Sequence, residues 1–370
     1  MHFEIISSVE EFSALESVWD DLARAVARPS PFQTFDWLVE RWRELELSGR
    51  VIVAREGDSL RAALPLLLQA RPGGAGHFLA GPYSGVDLML RSDEPDATAA
   101  ALLGRVGDLP VDYLELFGLA RGSVLERVLP GRPSLIRLDG APSMEMAAGW
   151  DDAYRRQTSA KTRTGQRRRL TKLEEAGTVE FRVAREPDEL ALAIEETFRL
   201  HELRWRDRPD PDLSHYSENA VFHRSAVRAL GRHGRARIVS LELDGSAIAF
   251  QYYFAFAGTM FIHRLAFDPA YAAFSPGQLV TLRAIEEASR DGLQRVEFLR
   301  GEEPYKLQLA DHIEDVLWVA CLPQTMRGHL RARRRIAELR IRQRAKASGG
   351  LHHAYQAVVK LRSRSSAERT

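Results

Sequence analysis

One order of elements occurs twice in this 370-residue chain, and that repetition limits its architecture more than any single motif. Residues 9–27 carry helical spacing through Phe12, Leu15, Val18, Trp19 and Leu22, and Phe35–Leu45 does the same. VIVAREGDSLRAALPLLL then predicts a hairpin turning at Glu56-Gly57-Asp58, and GHFLAGPYSGVDLML predicts strand and loop. A helix over Asp96–Val106 and a strand over Val111–Leu119 follow. The second half repeats the order: helices over Pro187–Trp205 and Asn219–Leu230, a hairpin at Asp244-Gly245, a strand in TMFIHRLAFDP, a helix over Gly277–Ser289 and a strand in LQRVEFLR. Strand–helix–strand steps need right-handed crossovers between parallel strands, whereas hairpins add antiparallel ones. The expectation is an α/β chain of two tandem domains, each a mixed, mostly antiparallel sheet flanked by helices, joined within residues 142–164. The boundaries expected are 1–145, 146–325 and a basic helical tail over 326–370.

Charge and cysteine content narrow the classes. The net charge is +1, yet residues 326–370 hold thirteen Lys/Arg against two acids, so an acidic body of −10 ends in a tail of +11. A second basic cluster, KTRTGQRRRLTK, occupies Lys161–Lys172. The tail fits three readings: an exposed terminal helix, contact with an anionic membrane surface, or contact with a polyanion. No DNA-binding motif accompanies either cluster, so nucleic acid is not expected beyond tRNA. A single cysteine, Cys321, excludes an internal disulfide and a cysteine-cluster metal site, and a cytoplasmic location is the default expectation. The longest apolar runs, around Ala62–Leu68 and Ile248–Ala257, are too short to span a bilayer.

The motif that carries chemistry is Ser275-Pro276-Gly277-Gln278, at the junction of a strand and a helix. A helix start exposes unpaired N–H groups and a partial positive charge, which attract phosphate. Proline fits the first helical position, serine fits the cap, and glycine lets a ligand approach the backbone. On these residues alone a plain capped turn and an anion pocket are equal readings.

Phe267-Asp268-Pro269, Tyr271, Ser275-Pro276-Gly277 and Phe298-Leu299-Arg300-Gly301, with Glu303 and Tyr305-Lys306, resemble the GNAT acyltransferase superfamily. The similarity is to its duplicated BioF2-like/CelD-like branch, related to the FemAB peptidyltransferases, and it spans roughly Met1–Pro323. It implies acetyl-CoA or another acyl-CoA in the second half and no metal. The strand Phe261–Phe267 would splay from its neighbour, and Leu265, Ala266, Phe267, Tyr271, Ser275, Pro276, Gly277 and Gln278 would hold the cofactor. An oxyanion donor is expected near Ala266 or Phe267. The loop departs from the family's Gln/Arg-x-x-Gly-x-Gly/Ala pattern, because Pro276 lacks an N–H and Gly277 is its single glycine.

For proton handling the candidates are Glu303 as base, Tyr305 as donor to the leaving thiolate and Lys306 as partner of an anion. Arg300 is expected either at the site or paired with Glu303, holding the loop. His263, between Phe261 and Leu265, is either a base or a structural histidine, and Trp205 either borders the acceptor or packs. The first half, whose corresponding stretch is Gly81-Pro82-Tyr83-Ser84-Gly85, is expected to be a degenerate copy that shapes the acceptor cleft. The activity expected is acyl-CoA-dependent N-acylation of a small amine or amino sugar in a cell-envelope or exopolysaccharide setting, peripheral to the inner membrane if the tail binds there. The alternatives are an aminoacyl-tRNA-dependent FemAB-type transferase and a non-catalytic, lipid-associated accessory protein.

Overall fold

A computed structural model describes residues 1–44, 48–69, 74–81, 86–129, 134–206, 219–321 and 325–347. The first half runs β1 (His2–Ile6), α1 (Val9–Ser13), α2 (Glu16–Ala25), α3 (Phe35–Glu44), β2 (Ser48–Glu56), β3 (Ser59–Leu68), β4 (Gly74–Phe78), β5 (Met89–Leu90), α4 (Pro95–Gly104), β6 (Val111–Ala120), α5 (Val124–Val128) and β7 (Ser134–Glu145). The second half opens with α6 (Trp150–Gln157) and α7 (Ala160–Glu174). It then repeats the order as β8 (Val179–Ala184), α8 (Pro187–Trp205), α9 (Ala220–Arg232), β9 (Ala236–Leu243), β10 (Ser246–Phe256), β11 (Thr259–Phe267), α10 (Pro276–Arg290), β12 (Arg295–Glu297), α11 (Pro304–Leu309) and β13 (His312–Cys321), before α12 (Met326–Ala347). The β9–β10 hairpin turns on Asp244 (φ 50°) and Gly245 (φ 78°), the positive pair that matches the twist of the flanking strands.

The strands form one sheet in the order β1-β2-β3-β4-β6-β13-β7-β12-β11-β10-β9-β8, with β5 beside β3. The fold class agrees with the sequence, but the two halves do not keep separate sheets. The closing strand of each half pairs into the other: β7 lies antiparallel to β12, β13 lies antiparallel to β6, and β7 and β13 pair with each other. The sheet therefore runs without a break across the boundary expected at 145/146.

Two apolar cores cover the faces. One joins the halves, packing Phe12, Trp19, Phe32 and Trp37 with Phe222, Phe254 and Phe261; the Trp37 and Phe222 rings lie 4.9 Å apart, edge to face. The other lies between the second half of the sheet and α10, around Met260, Ile262, Val280 and Ile285. Beside the first core Arg235, 7% exposed, reaches Asp20 at 2.5 Å and Asp36 at 3.5 Å, and burial raises the Asp36 carboxyl to about 6. The basic tail is helical as expected through Ala347, and α12 lies against β6 and β13. Among the described residues no helix is long and apolar enough to cross a membrane.

Candidate active site

The site is built from a break in strand pairing. Against one step in β10, Tyr252 to Tyr253, β11 takes two, Arg264 to Ile262, which makes His263 the extra residue of a β-bulge. A bulge bends its strand and strengthens the local twist. The consequence is visible one residue earlier: β11 pairs with the parallel β12 only over Thr259–Phe261. Beyond Glu297 the chain leaves β11 and follows β7 instead, with the Phe298 amide donating to Pro142 O at 3.0 Å and the Gly301 amide to Gly140 O at 2.9 Å. Leu299 (φ 57°) makes the turn in a left-handed conformation that a bulky residue rarely adopts, and such strain concentrates at functional sites.

A V-shaped gap results between Ile262–Phe267 and Phe298–Gly301. The Asp268 amide donates to Ile248 O at 2.8 Å, on the β10 side. Alternation along a strand therefore turns the amides of Arg264 and Ala266 toward β10 and those of Leu265 and Phe267 into the gap. Of the two amides expected near the oxyanion, that of Phe267 turns into the gap and that of Ala266 toward β10, and the Leu265 amide turns into the gap as well.

At the rim, α10 begins with Ser275 in the left-handed region (φ 53°, ψ 50°), and its hydroxyl neither caps the helix nor bonds any other described residue. Its amide is taken by Ala272 O at 3.0 Å, and the Gln278 amide by Ser275 O at 3.0 Å. With Pro276 lacking an N–H, the expected amide cradle shrinks to the Gly277 amide, the helix dipole and the free Ser275 hydroxyl. Gly277 is buried under the strand: a Cβ there would meet Phe267 Cδ1 at 3.0 Å and Leu265 Cδ1 at 3.7 Å. A side chain there would press on the Phe267 ring, so glycine eases this helix–strand approach. The Gln278 carboxamide accepts from Arg169 of α7 at 3.2 Å and donates to Gln308 of α11 at 3.4 Å, so three elements meet at the rim. Tyr271, half-buried in a 3-10 turn over Pro269–Phe274, packs on the second-half core. Arg204, at the end of α8, sits 4.3 Å over the Phe267 ring and 5.4 Å from that of Trp205.

The Arg300–Lys306 segment departs from its expected pairing. Arg300 does not hold Glu303; its guanidinium lies 5.0 Å over the Phe117 ring of the first half. Lys306 instead takes Glu303, with Nζ 2.9 Å from Oε2, and donates to Arg300 O at 2.9 Å from a side chain 8% exposed. These contacts place it as a clamp on the loop. Glu303 is the N-terminal cap residue of α11 and half exposed. Tyr305 is half-buried, its hydroxyl bonds no described residue, and burial raises its pKa, so the phenol keeps its proton at neutral pH. Tyr305 and Gln308, which accepts from Gln278, are three residues apart on α11 and share a face. His263 is 8% exposed amid Phe32, Trp37, Tyr252, Phe254 and His223 at 5.0–5.9 Å, and burial holds it neutral. This places it as the packed residue of the bulge, not within reach of an external amine.

Three residues at the site escaped the sequence reading. Glu297 stands where β11 and β12 part, on the sheet face opposite Val296 and Phe298; burial raises its carboxyl, and Arg295 binds it at 2.7 Å. Its signal was the lone acid in an alternating strand. His201 of α8 and His223 of α9 flank the same face, and burial lowers both, His201 to about 4. A separate cavity of about 960 Å³ lies in the first half, lined by Arg28, Gln33, Asp87, Arg91, Ser123 and Arg127. Burial raises Asp87 in it to about 7. Pro82–Gly85 of the first-half loop lie outside the described residues. Among the described residues no group of three or more His, Cys, Asp or Glu side chains is arranged to hold a metal ion.

A family model of the acetyltransferase (GNAT) domain matches residues 160–307, the segment that contains the bulge, the gap and the α10 rim. The second half is a GNAT domain. Solved structures share the fold over both halves. FemX aligns with a TM-score of 0.61 at 10% identity, over 88% of this chain and 98% of that one. The C-terminal domain (DUF2156) of a putative lysylphosphatidylglycerol synthetase from Agrobacterium fabrum aligns at 0.52, 11% identical, over 84% and 92%. A tandem GNAT protein from the clavulanic acid biosynthesis pathway aligns at 0.50, 14% identical, over 86% and 98%. No curated protein matches in sequence. The domain match over 160–307 and the fold shared over both halves support the GNAT-superfamily, FemAB-related resemblance carried by the motifs.

Proposed function

We propose that the chain is an acyltransferase that moves an acyl group from acyl-CoA to the amine of a small molecule or sugar. The observation that carries this is the gap beside β11, with two amides turned into it and a helix start at its rim. In the proposed reaction the amine attacks the thioester carbonyl, and the tetrahedral oxygen takes its negative charge against the Leu265 and Phe267 amides. The amine's proton passes to a carboxylate: Glu297, which burial makes more basic than an ordinary carboxylate and which stands where β11 and β12 part, is preferred over the exposed Glu303. The C–S bond breaks and Tyr305 protonates the departing thiolate. The CoA diphosphate would meet Gly277, the Ser275 hydroxyl and Arg169. The first half would close the acceptor side, since Arg300 stacks on Phe117 and Glu297 is influenced by Arg28. Kinship with BioF2-like and CelD-like proteins and an exopolysaccharide setting belong to the same proposal. The test is thiol release from acetyl-CoA and longer acyl-CoAs with a panel of amines, beside calorimetric titration of CoA. Saturable CoA binding with amine-dependent thiol release supports the reading, and no heat with any CoA removes it.

One observation favours a second donor. The Ser275 and Gln278 amides are already paired, while α7, which carries six Lys/Arg and no acid over Lys161–Lys172, reaches the same rim through Arg169. That suits the phosphate backbone of an aminoacyl-tRNA. Salt-dependent tRNA binding without CoA binding would select it.

A further inference from the structure

The basic helix α12 is fixed by one face and leaves a different, organised face outward. On the inner side Arg331 Nη1 lies 2.9 Å from Asp112 Oδ2, and Arg335 Nε lies 3.0 Å from Oε1 of the buried Glu115. Thr325 donates to Asp112 Oδ1 at 2.9 Å, and Ala332 packs on Ala75 and Tyr113. Gly328 comes so close to β6 that a Cβ would fall 1.9 Å from Asp112 O. Ile336 and Leu339 are buried. These contacts set the rotation of the helix.

On the outer side Met326 is 88% exposed, Leu330 73% and Ile341 66%, with Ala337 exposed between them. At 3.6 residues per turn these four fall within an arc of about 60°. Arg333 and Arg340 flank the arc on one side, Arg327 and Arg334 on the other, and all four are exposed. Arg327, Arg333 and Arg340 pair with no acid among the described residues. Arg334 meets only Glu338, at 3.4 Å.

We infer that the outer face of α12 docks the protein on an anionic phospholipid bilayer, with Met326, Leu330 and Ile341 entering the boundary between headgroups and acyl chains. The flanking guanidinium groups then lie at phosphate level. An apolar stripe between two arginine rows is the pattern of a helix lying in the interface plane. The positive surplus complements anionic headgroups. A polyanion alone would be served by the arginines and would leave the stripe in water. This inference does not depend on the acyl donor.

The experiment is flotation of the full chain with vesicles of equal parts phosphatidylcholine and phosphatidylglycerol, against pure phosphatidylcholine. The chain floats with the mixed vesicles and not with the neutral ones. Leu330→Asp with Ile341→Asp lowers the vesicle-bound partition by about tenfold or more, because two apolar side chains no longer leave water. Arg333→Gln with Arg340→Gln lowers it by roughly five- to thirtyfold. All four positions point outward, and an unchanged thermal midpoint verifies that the fold is intact. No flotation with the mixed vesicles overturns the inference. So does flotation indifferent to the apolar pair, which would indicate a polyanion site. A vesicle-free dimer that dissolves in the Leu330→Asp, Ile341→Asp variant would assign the face to a second copy and overturn it equally.

Discussion

Lys306→Met separates a clamp from a catalytic lysine. Methionine keeps most of the buried stem and removes the ammonium, so the loss includes the contacts to Arg300 O and Glu303. The hydrogen bond to Arg300 O at 2.9 Å comes from a charged donor with a side chain 8% exposed, and such bonds contribute about 1.5–3 kcal/mol. The pair with Glu303, itself 54% exposed, adds at most about 1 kcal/mol. Relief of burying an ammonium offsets part of the total, leaving a net destabilisation of about 1–3 kcal/mol. In urea the midpoint should fall with no change in slope, and the thermal midpoint should drop by roughly 1–4 °C. Turnover should decline with it, because the loop through Gly301 forms one wall of the gap. Glu303→Gln should cost no more than about 1 kcal/mol. A Lys306→Met protein of full stability whose turnover falls more than about 100-fold would refute this reasoning and place the ammonium at the substrate.

Tyr305→Phe should leave stability within about 0.5 kcal/mol and lower turnover by roughly 10²–10⁴, measured by thiol release on folded protein. Its raised pKa predicts no falling limb from Tyr305 in the pH–rate profile below about pH 10. Asp87, raised by burial to about 7, is protonated in the fold where the unfolded chain is already ionised. Its stabilising contribution is complete below about pH 4 and is lost as pH rises through 7. Asp87→Asn should therefore flatten the stability profile over that window and exceed the natural protein at pH 8 by about 1–3 kcal/mol; a steeper profile would contradict the assignment. Arg235→Ala strands Asp20 and Asp36 beside the core that joins the halves and should cost about 3–5 kcal/mol in chemical denaturation.

The repeated element order was legible because long periodic helices and Gly-turned hairpins are local signals. Strands β1 and β8 were not, since each is short and pairs along one edge only, at the two ends of the sheet. The exchange of β7 and β13 was invisible for another reason: register between distant strands leaves no trace in either strand's own pattern. The same holds at the site. TMFIHRLAF reads as a continuous strand, and only the pairing with β10 makes His263 a bulge. The SPGQ start of α10 was legible as a helix N-terminus, but which amides its own carbonyls occupy was not. Lys306 and Arg300 are legible as candidates but their partners are not: Glu303 goes to Lys306 and Arg300 stacks on Phe117, which depends on how α11 folds back over Arg300 O and on the nearness of Phe117 from the other half.

The most direct test of the account is amide hydrogen exchange across Ile262–Gln278, with and without saturating CoA. The account predicts fast exchange at Leu265, Phe267 and Gly277 in the free protein and protection of all three on CoA binding, with Ala266 slow in both states. Slow exchange at Leu265 and Phe267 without ligand, or no protection with CoA, would contradict it.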